Sequence, residues 1–325
     1  MAIPRKYLVD DSTPGFYHCI SRCVRRAYLC GDDPITGHNC DHRKAWLETR
    51  MLELAFIFSV ELYAYAIMSN HYHLVLYIDP LAPLKWADSE IAEKWLLTYP
   101  GRLDTPGFEL QRELKKQAIM ADKKKLQKYR QRFGSLSWFM SRLNEPLAKT
   151  SNAEDIAKGR FWESRYTSVA LLDESAVLSC MAYVDLNPIR AGIVQDLQTS
   201  LYTSIRKRLD DLPLKPQLLT QPIQSMAGSV EGRVVNIKLK DYVELVEWAG
   251  KSIVHPNKAK MPAHINTLLS VMNLQPDNWL TQVQNFNKGS LHSIGCLAKL
   301  QDKAVALKKK WIKGFSASKK LYIQV

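Results

Sequence analysis

The sequence has no run of about 18 or more apolar residues, so no membrane-spanning helix is expected. Its start, Met1-Ala2-Ile3-Pro4-Arg5-Lys6, leads into polar residues without the apolar core of a secretory signal. The 6 cysteines (Cys19, Cys23, Cys30, Cys40, Cys180 and Cys296) are scattered over 325 residues and form no disulfide framework, so a reduced, cytoplasmic protein is expected. Internal repeats and low-complexity tracts are missing. Acidic residues are scarce: 32 Asp and Glu face 45 Lys and Arg, a formal net charge of +13. A surplus of that size points to a polyanionic partner, nucleic acid before membrane.

What is present suits a globular protein. The chain is 46% hydrophobic and long enough for two domains with a real core. Residues 1–211 alternate strand-like and helix-like stretches. Residues 212–231 contain Pro213, Pro216 and Pro222 with few charges and read as a linker. Residues 232–325 read as a basic helical C-terminal domain that runs into Lys308-Lys309-Lys310 and Lys319-Lys320.

Along the first domain, Phe16–Val24 reads as a strand, with Arg22, Arg25 and Arg26 at its far end as a phosphate-contact cluster. The loop after it holds Cys30, His38, Cys40 and His42, without the paired cysteine spacing of structural zinc sites. Asp41 is placed to cap a helix whose apolar positions are Trp46, Met51, Leu54 and Phe58. Residues 108–133 read as one helix dense in cations, among them Lys123 and Lys124, suited to a DNA backbone. In Lys158–Tyr166, Arg160, Trp162 and Arg165 interleave cations with aromatics. That pattern serves phosphate contact with base stacking, and equally a packed tryptophan with arginines beside it.

The centre of the sequence is His71-Tyr72-His73, between the apolar runs Val60–Ile67 and Leu74–Ile78. Side chains two apart on a strand point the same way, so both imidazoles leave one face while Tyr72 and Leu74 leave the other. Two neutral imidazoles make half a divalent-metal site. Taken alone, such a pair also arises by chance in a chain with 8 histidines. Further on, Asp173 is an N-cap and Pro188 a stop for a helix over Glu174–Asn187. Its stripe Val177, Cys180, Met181 and Val184 is apolar, with Tyr183 and Asn187 one above the other beside it. A cation held by His71, His73 and the Asn187 carbonyl would keep its charge and could polarise a phosphodiester, while the Tyr183 phenol attacks phosphorus. The plainer alternative makes Tyr183 one core-edge tyrosine among 14 and Asn187 a helix terminator.

Four segments occur in a telling order: Pro14-Gly15-Phe16-Tyr17-His18, Ala66–Leu74, Gly159-Arg160-Phe161-Trp162 and Tyr183–Gly192. With them, the first 205 or so residues resemble the single-tyrosine HUH transposases, most closely the REP-associated tyrosine transposase-like group. The resemblance implies an α+β fold, a ferredoxin-like antiparallel sheet with helices packed on it (the HUH endonuclease fold), followed here by the C-terminal helical domain. It implies Mg2+ or Mn2+ on His71 and His73 with Asn187 as third ligand, and Tyr183 as nucleophile. It also implies single-stranded, hairpin-forming DNA cut to a 5′-phosphotyrosine and a free 3′-OH, by a monomer or homodimer. Tyr72 stands where the family has a hydrophobic residue. The alternative of another class is a domesticated nucleic-acid-binding regulator that keeps the fold without catalysis.

Overall fold

The computed structural model describes residues 9–24, 29–31, 37, 39–99, 107–230, 233–256, 260–286 and 291–323. In chain order come β1 (Gly15–Arg22), α1 (His42–Ile57), β2 (Val60–Ile67), β3 (His71–Ile78), α2 (Asp88–Thr98), α3 (Phe108–Ala121), α4 (Lys123–Phe133) and α5 (Leu136–Glu154). Next are β4 (Thr167–Leu171), α6 (Glu174–Asp185), α7 (Asn187–Arg190), α8 (Ser204–Asp211), β5 (Pro222–Ile223), β6 (Ala227–Gly228) and β7 (Val235–Lys238). The C-terminal part adds α9 (Leu239–Val254), α10 (Ala263–Val271), α11 (Pro276–Gln284), β8 (Ser293–Ile294), α12 (Leu297–Ala306) and α13 (Phe315–Leu321). Among the described residues, no helix is long and apolar enough to cross a membrane.

The fold is mixed α/β, built on a 6-stranded sheet in the order β6-β2-β3-β1-β4-β8. Every pairing in it is antiparallel except β4 with β8. The central strands β2 and β3 are buried along nearly their whole length and mostly apolar, as strands covered on both faces are. One face packs Tyr72, Leu74 and Leu76 against Leu47, Met51 and Leu54 of α1 and Phe139 and Leu143 of α5. The other packs Ala64, Ala66 and Val75 against α6, and continues into α9, α10 and α11.

Several elements differ from expectation. The cationic helix is divided at Asp122, whose backbone turns extended and whose carboxylate accepts from Lys125 N–H at 3.0 Å. Asp41 precedes α1 without capping it, because its carboxylate pairs with Lys44. The 212–231 segment is woven into the sheet rather than left as a tether. Its β6 pairs with β2, and Glu61 of β2 accepts from Ser225 Oγ and from Val230 N–H. A Cβ on Gly228 would overlap the Glu61 carboxylate, so any larger residue there requires that side chain to move. Likewise the C-terminal helices share the core of the first domain, and β8 adds the strand beyond β4.

At the centre, Ser175 to Asp185 of α6 are all buried. Its N-terminus is capped as expected by Asp173, which accepts from Ala176 N–H at 2.8 Å. At the other end, buried Asp185 accepts from Ser204 Oγ, Ile205 N–H (2.9 Å) and Tyr242 Oη, joining α6, α8 and α9. Burial pushes this carboxyl up to about 6, against the pull of those donors. Truncation as Asp185→Ala strands three donors in the interior, and the expected loss is about 3 kcal/mol or more in urea unfolding. Ser204→Ala, which removes one donor to the carboxylate and the acceptor of the Tyr65 N–H, should cost about 2 kcal/mol in the same titration.

Candidate active site

The register of β1 and β3 sets the geometry, with Arg22 opposite His71 and Ile20 opposite His73. By alternation, His18 and Arg22 share a face with both imidazoles. His18 is the diagonal neighbour of His73, and its Nε2 lies 2.9 Å from His73 Nδ1. The two rings stack with centroids 5.2 Å apart. The His71 ring meets His73 edge-on at 4.9 Å, and its Nδ1 bonds the side-chain oxygen of Asn70.

Helix α6 lowers Tyr183 onto the same spot. Its ring lies 5.5 Å from His73 and 5.7 Å from His18, edge-on to both. The helix ends at Asp185, two residues sooner than expected, yet the chain keeps turning. Arg190 N–H donates to Leu186 O, and Pro188 sits in the first turn of α7, where its missing N–H is harmless. Tyr183, Asn187 and Arg190 therefore follow one another at helical spacing. Asn187 is only 7% exposed, and its Nδ2 is buried without a hydrogen-bond partner. The Arg190 guanidinium carbon sits 4.4 Å from the Tyr183 ring centroid, and Arg190 donates to Gln284 O at 2.8 Å. Phe286, just beyond α11, stacks on Tyr183 at 5.5 Å.

Burial and nearby cations keep the imidazoles neutral. His18 is pushed down to about 3 by burial. His71 falls to about 4, from burial and then from Arg22 and Arg190. His73 lies well below its ordinary value because it is buried beside two more imidazoles and both arginines. In the buried His18–His73 pair one nitrogen must donate. If His73 Nδ1 donates to His18, a lone pair remains on His73 Nε2, a buried atom with no partner. The ends of an amide are sterically interchangeable, so a flip of Asn187 puts its carbonyl oxygen at the other orphaned position. Both orphaned atoms belong to residues that the sequence marks out, with His71, as the ligands of a divalent cation. Among the described residues no cluster of three or more His, Cys, Asp or Glu side chains is arranged to hold a metal. The donor set expected from the sequence, two imidazoles and an amide, is neutral throughout.

The remaining expected residues are placed as follows. Arg22 is exposed and directly across from His71. Arg25 and Arg26 lie outside the described residues, as does His38 of the cysteine-containing loop. Cys30 and Cys40 are both buried. Lys123 and Lys124 open α4, which packs with α2 on the far side of the sheet, and Lys123 is already bonded to Asp88 at 2.8 Å. Cations of this region meet acids on α2, Arg130 at Asp88 and Lys116 at Glu93, so part of its charge is internally matched. Arg160, Trp162 and Arg165 line a cavity against α5. His18, Arg190 and Phe286 were not foreseen. Arg190 follows Tyr183 by seven residues, a spacing legible on a helical wheel, whereas the other two depend on long-range pairing.

No protein-family model matches this sequence, and no curated protein does. Among solved structures, the chain is similar to one described as the REP-associated tyrosine transposase bound to a REP hairpin. The identity is 10%, over 71% of this chain and 94% of that one, with a TM-score of 0.34. A likeness that faint carries no argument about what this chain does.

His18 bonds His73. With Mn2+ on His71, His73 and Asn187, as expected from the sequence, His18→Phe should lower Mn2+ affinity by about 10- to 100-fold in calorimetry, the usual effect of losing a group that orients a ligand. The same residue shapes acid stability. Its folded pKa of about 3 lies below the unfolded 6.5, so its contribution is complete above pH 6.5 and is lost as pH falls toward 3. Urea unfolding midpoints measured across that interval should fall less steeply in His18→Phe than in the wild type.

Proposed function

We propose that the protein cleaves and rejoins single-stranded DNA through a covalent 5′-phosphotyrosine on Tyr183. The observation that carries this reading is the contact of the Tyr183 ring with His73, which in turn meets His71, together with buried polar atoms on His73 and Asn187 that have no hydrogen-bond partner. His71, His73 and Asn187 would hold Mg2+ or Mn2+. When bound, such an ion neutralises charge on the phosphodiester and on the attacking oxygen.

The chain's own groups do the rest. Tyr183 Oη forms a bond to phosphorus as the bond from phosphorus to the 3′ oxygen breaks. The phenol releases its proton to solvent, and the departing oxygen gains one to become a 3′-OH. Arg190, beside the phenol ring, favours the negative phosphate. Arg22, across from His71, is placed to meet an adjoining phosphate. The new linkage keeps the energy of the old one, so reversal by a 3′-OH rejoins the strand without ATP. The order β1-α1-β2-β3-α5-β4-α6, with strands arranged β4-β1-β3-β2, supports the split βαβ core that such a site requires. The surplus of 45 basic over 32 acidic residues supports the polyanionic substrate. DNA transposition is the process this chemistry serves in the family resembled.

A second reading has its own observation. Tyr183 is only 5% exposed, with Phe286 stacked on it, as suits a DNA-binding regulator that no longer cleaves. One assay separates the two: hairpin-bearing single-stranded DNA, Mn2+ and a denaturing gel. The expected result is a covalent protein–DNA band with the wild type and none with Tyr183→Phe. His71→Ala should also lose the band while keeping most DNA affinity, because basic surfaces supply that affinity. Binding without any band in the wild type would establish the regulator.

A further inference from the structure

On the sheet face opposite the imidazoles, α5 and the 160–166 segment enclose an open cavity of about 720 Å³. That volume is in the range of small-ligand sites. Its wall includes Trp162 and Tyr166 together with Asn144, Glu145, Arg160 and Arg165. Arg160 and Arg165 are exposed, and among the described residues neither is in an ion pair. Glu145 is matched by Arg142 and Lys149, so the free charge at the rim is positive.

The aromatic wall is held in place. Trp162 is half-buried, and its indole N–H donates to Asn144 O at 3.0 Å. Tyr72 meets Trp162 edge-on at 5.9 Å and donates to Asn144 Oδ1 at 2.6 Å. With its donor engaged, Trp162 offers the cavity only ring surface. A cavity with a fixed ring and two unmatched guanidinium groups on its rim suits a flat ligand flanked by more than one anion.

Its place in the sheet ties it to the site. Trp162 bridges to Cys23 and Glu163 N–H donates to Arg22 O, just past the end of β1, on the side away from β3. Arg22 in turn is the partner of His71. The segment and His71 are therefore two strand spacings apart, roughly 10 Å. A strand passing over this end of the sheet reaches both, with Arg22 between them.

We propose that this cavity takes one unpaired base of the DNA strand beside the scissile phosphate. The base stacks on Trp162, and Arg160 and Arg165 contact the phosphates on either side of it. This rests on the single-stranded DNA reading above and adds a base-holding position, on the reverse face of the sheet, that anchors the strand while Tyr183 reacts.

The test uses the full-length protein in EDTA, so that no cleavage is needed. Single-stranded oligonucleotides carrying one 5-iodouracil at successive positions beside a hairpin are bound, irradiated and mapped by mass spectrometry. The expected result is a crosslink to Trp162 or Tyr166 from one or two adjacent positions, unchanged in Tyr183→Phe. Trp162→Ala should bind about tenfold more weakly, the effect of one lost base stack. Because that variant can also disturb packing, the exposed pair Arg160→Glu with Arg165→Glu is the second arm and should abolish the crosslink. Crosslinks mapping to Trp95 and Trp138 or to the C-terminal helices would overturn the proposal, as would full binding by the double variant. So would equal competition by free dTMP, which would mark a mononucleotide site. If the adduct assay fails while the crosslink holds, the chemistry falls and the cavity stands; the converse result removes only the cavity.

Discussion

A helix buried along nearly its whole length must find partners inside the protein for every polar group it carries. That constraint governs α6, which brings the phenol of Tyr183 to the imidazole face of the sheet. Ser175 donates to Met272 O, Ser179 accepts from the Trp279 indole, and Asp185 collects donors from α8 and α9. Each stitch reaches a different element, and three of them reach residues beyond 240. The position of the phenol over His73 is thus a property of the whole chain, since buried polar groups tolerate few alternative arrangements.

The site on the sheet side is organised by charge rather than by ligand number. Three imidazoles, kept neutral by burial, face two arginines and a phenol. Among the described residues, no three His, Cys, Asp or Glu side chains are arranged there to hold a metal. A cation placed there would be only weakly held by its neutral donors, and a phosphate oxygen would complete its shell at little cost. His18 matters in this economy because its bond to His73 selects which nitrogen of that ring faces outward.

Much of this could be read from the residues, and the failures have physical causes. The twin imidazoles and the opposed Tyr72 follow from strand alternation, and the start of α6 from a capping Asp173. The break at Asp122 was hidden because lysines and leucines continue the helical period on both sides of it. The 212–231 stretch looked like a tether because prolines and low charge mark loops. It folds onto β2 because Glu61 and the bare strand edge need partners that sequence alone does not assign. Arg190 was legible from helical spacing but masked by the expectation that Pro188 stops the chain. His18 and Phe286 meet Tyr183 only through β1–β3 pairing and a contact across 103 residues (286 minus 183), which no local pattern encodes.

Asp173 does more than begin a helix. One of its oxygens takes the Ala176 amide and the Tyr322 hydroxyl, and the other takes the Cys296 amide at 2.7 Å. A single carboxylate therefore fastens the segment around Tyr322 and Cys296 to the root of the helix that carries Tyr183. Release of Tyr322 would remove one anchor from that root, so the placing of the phenol draws on a contact made more than a hundred positions later in the chain.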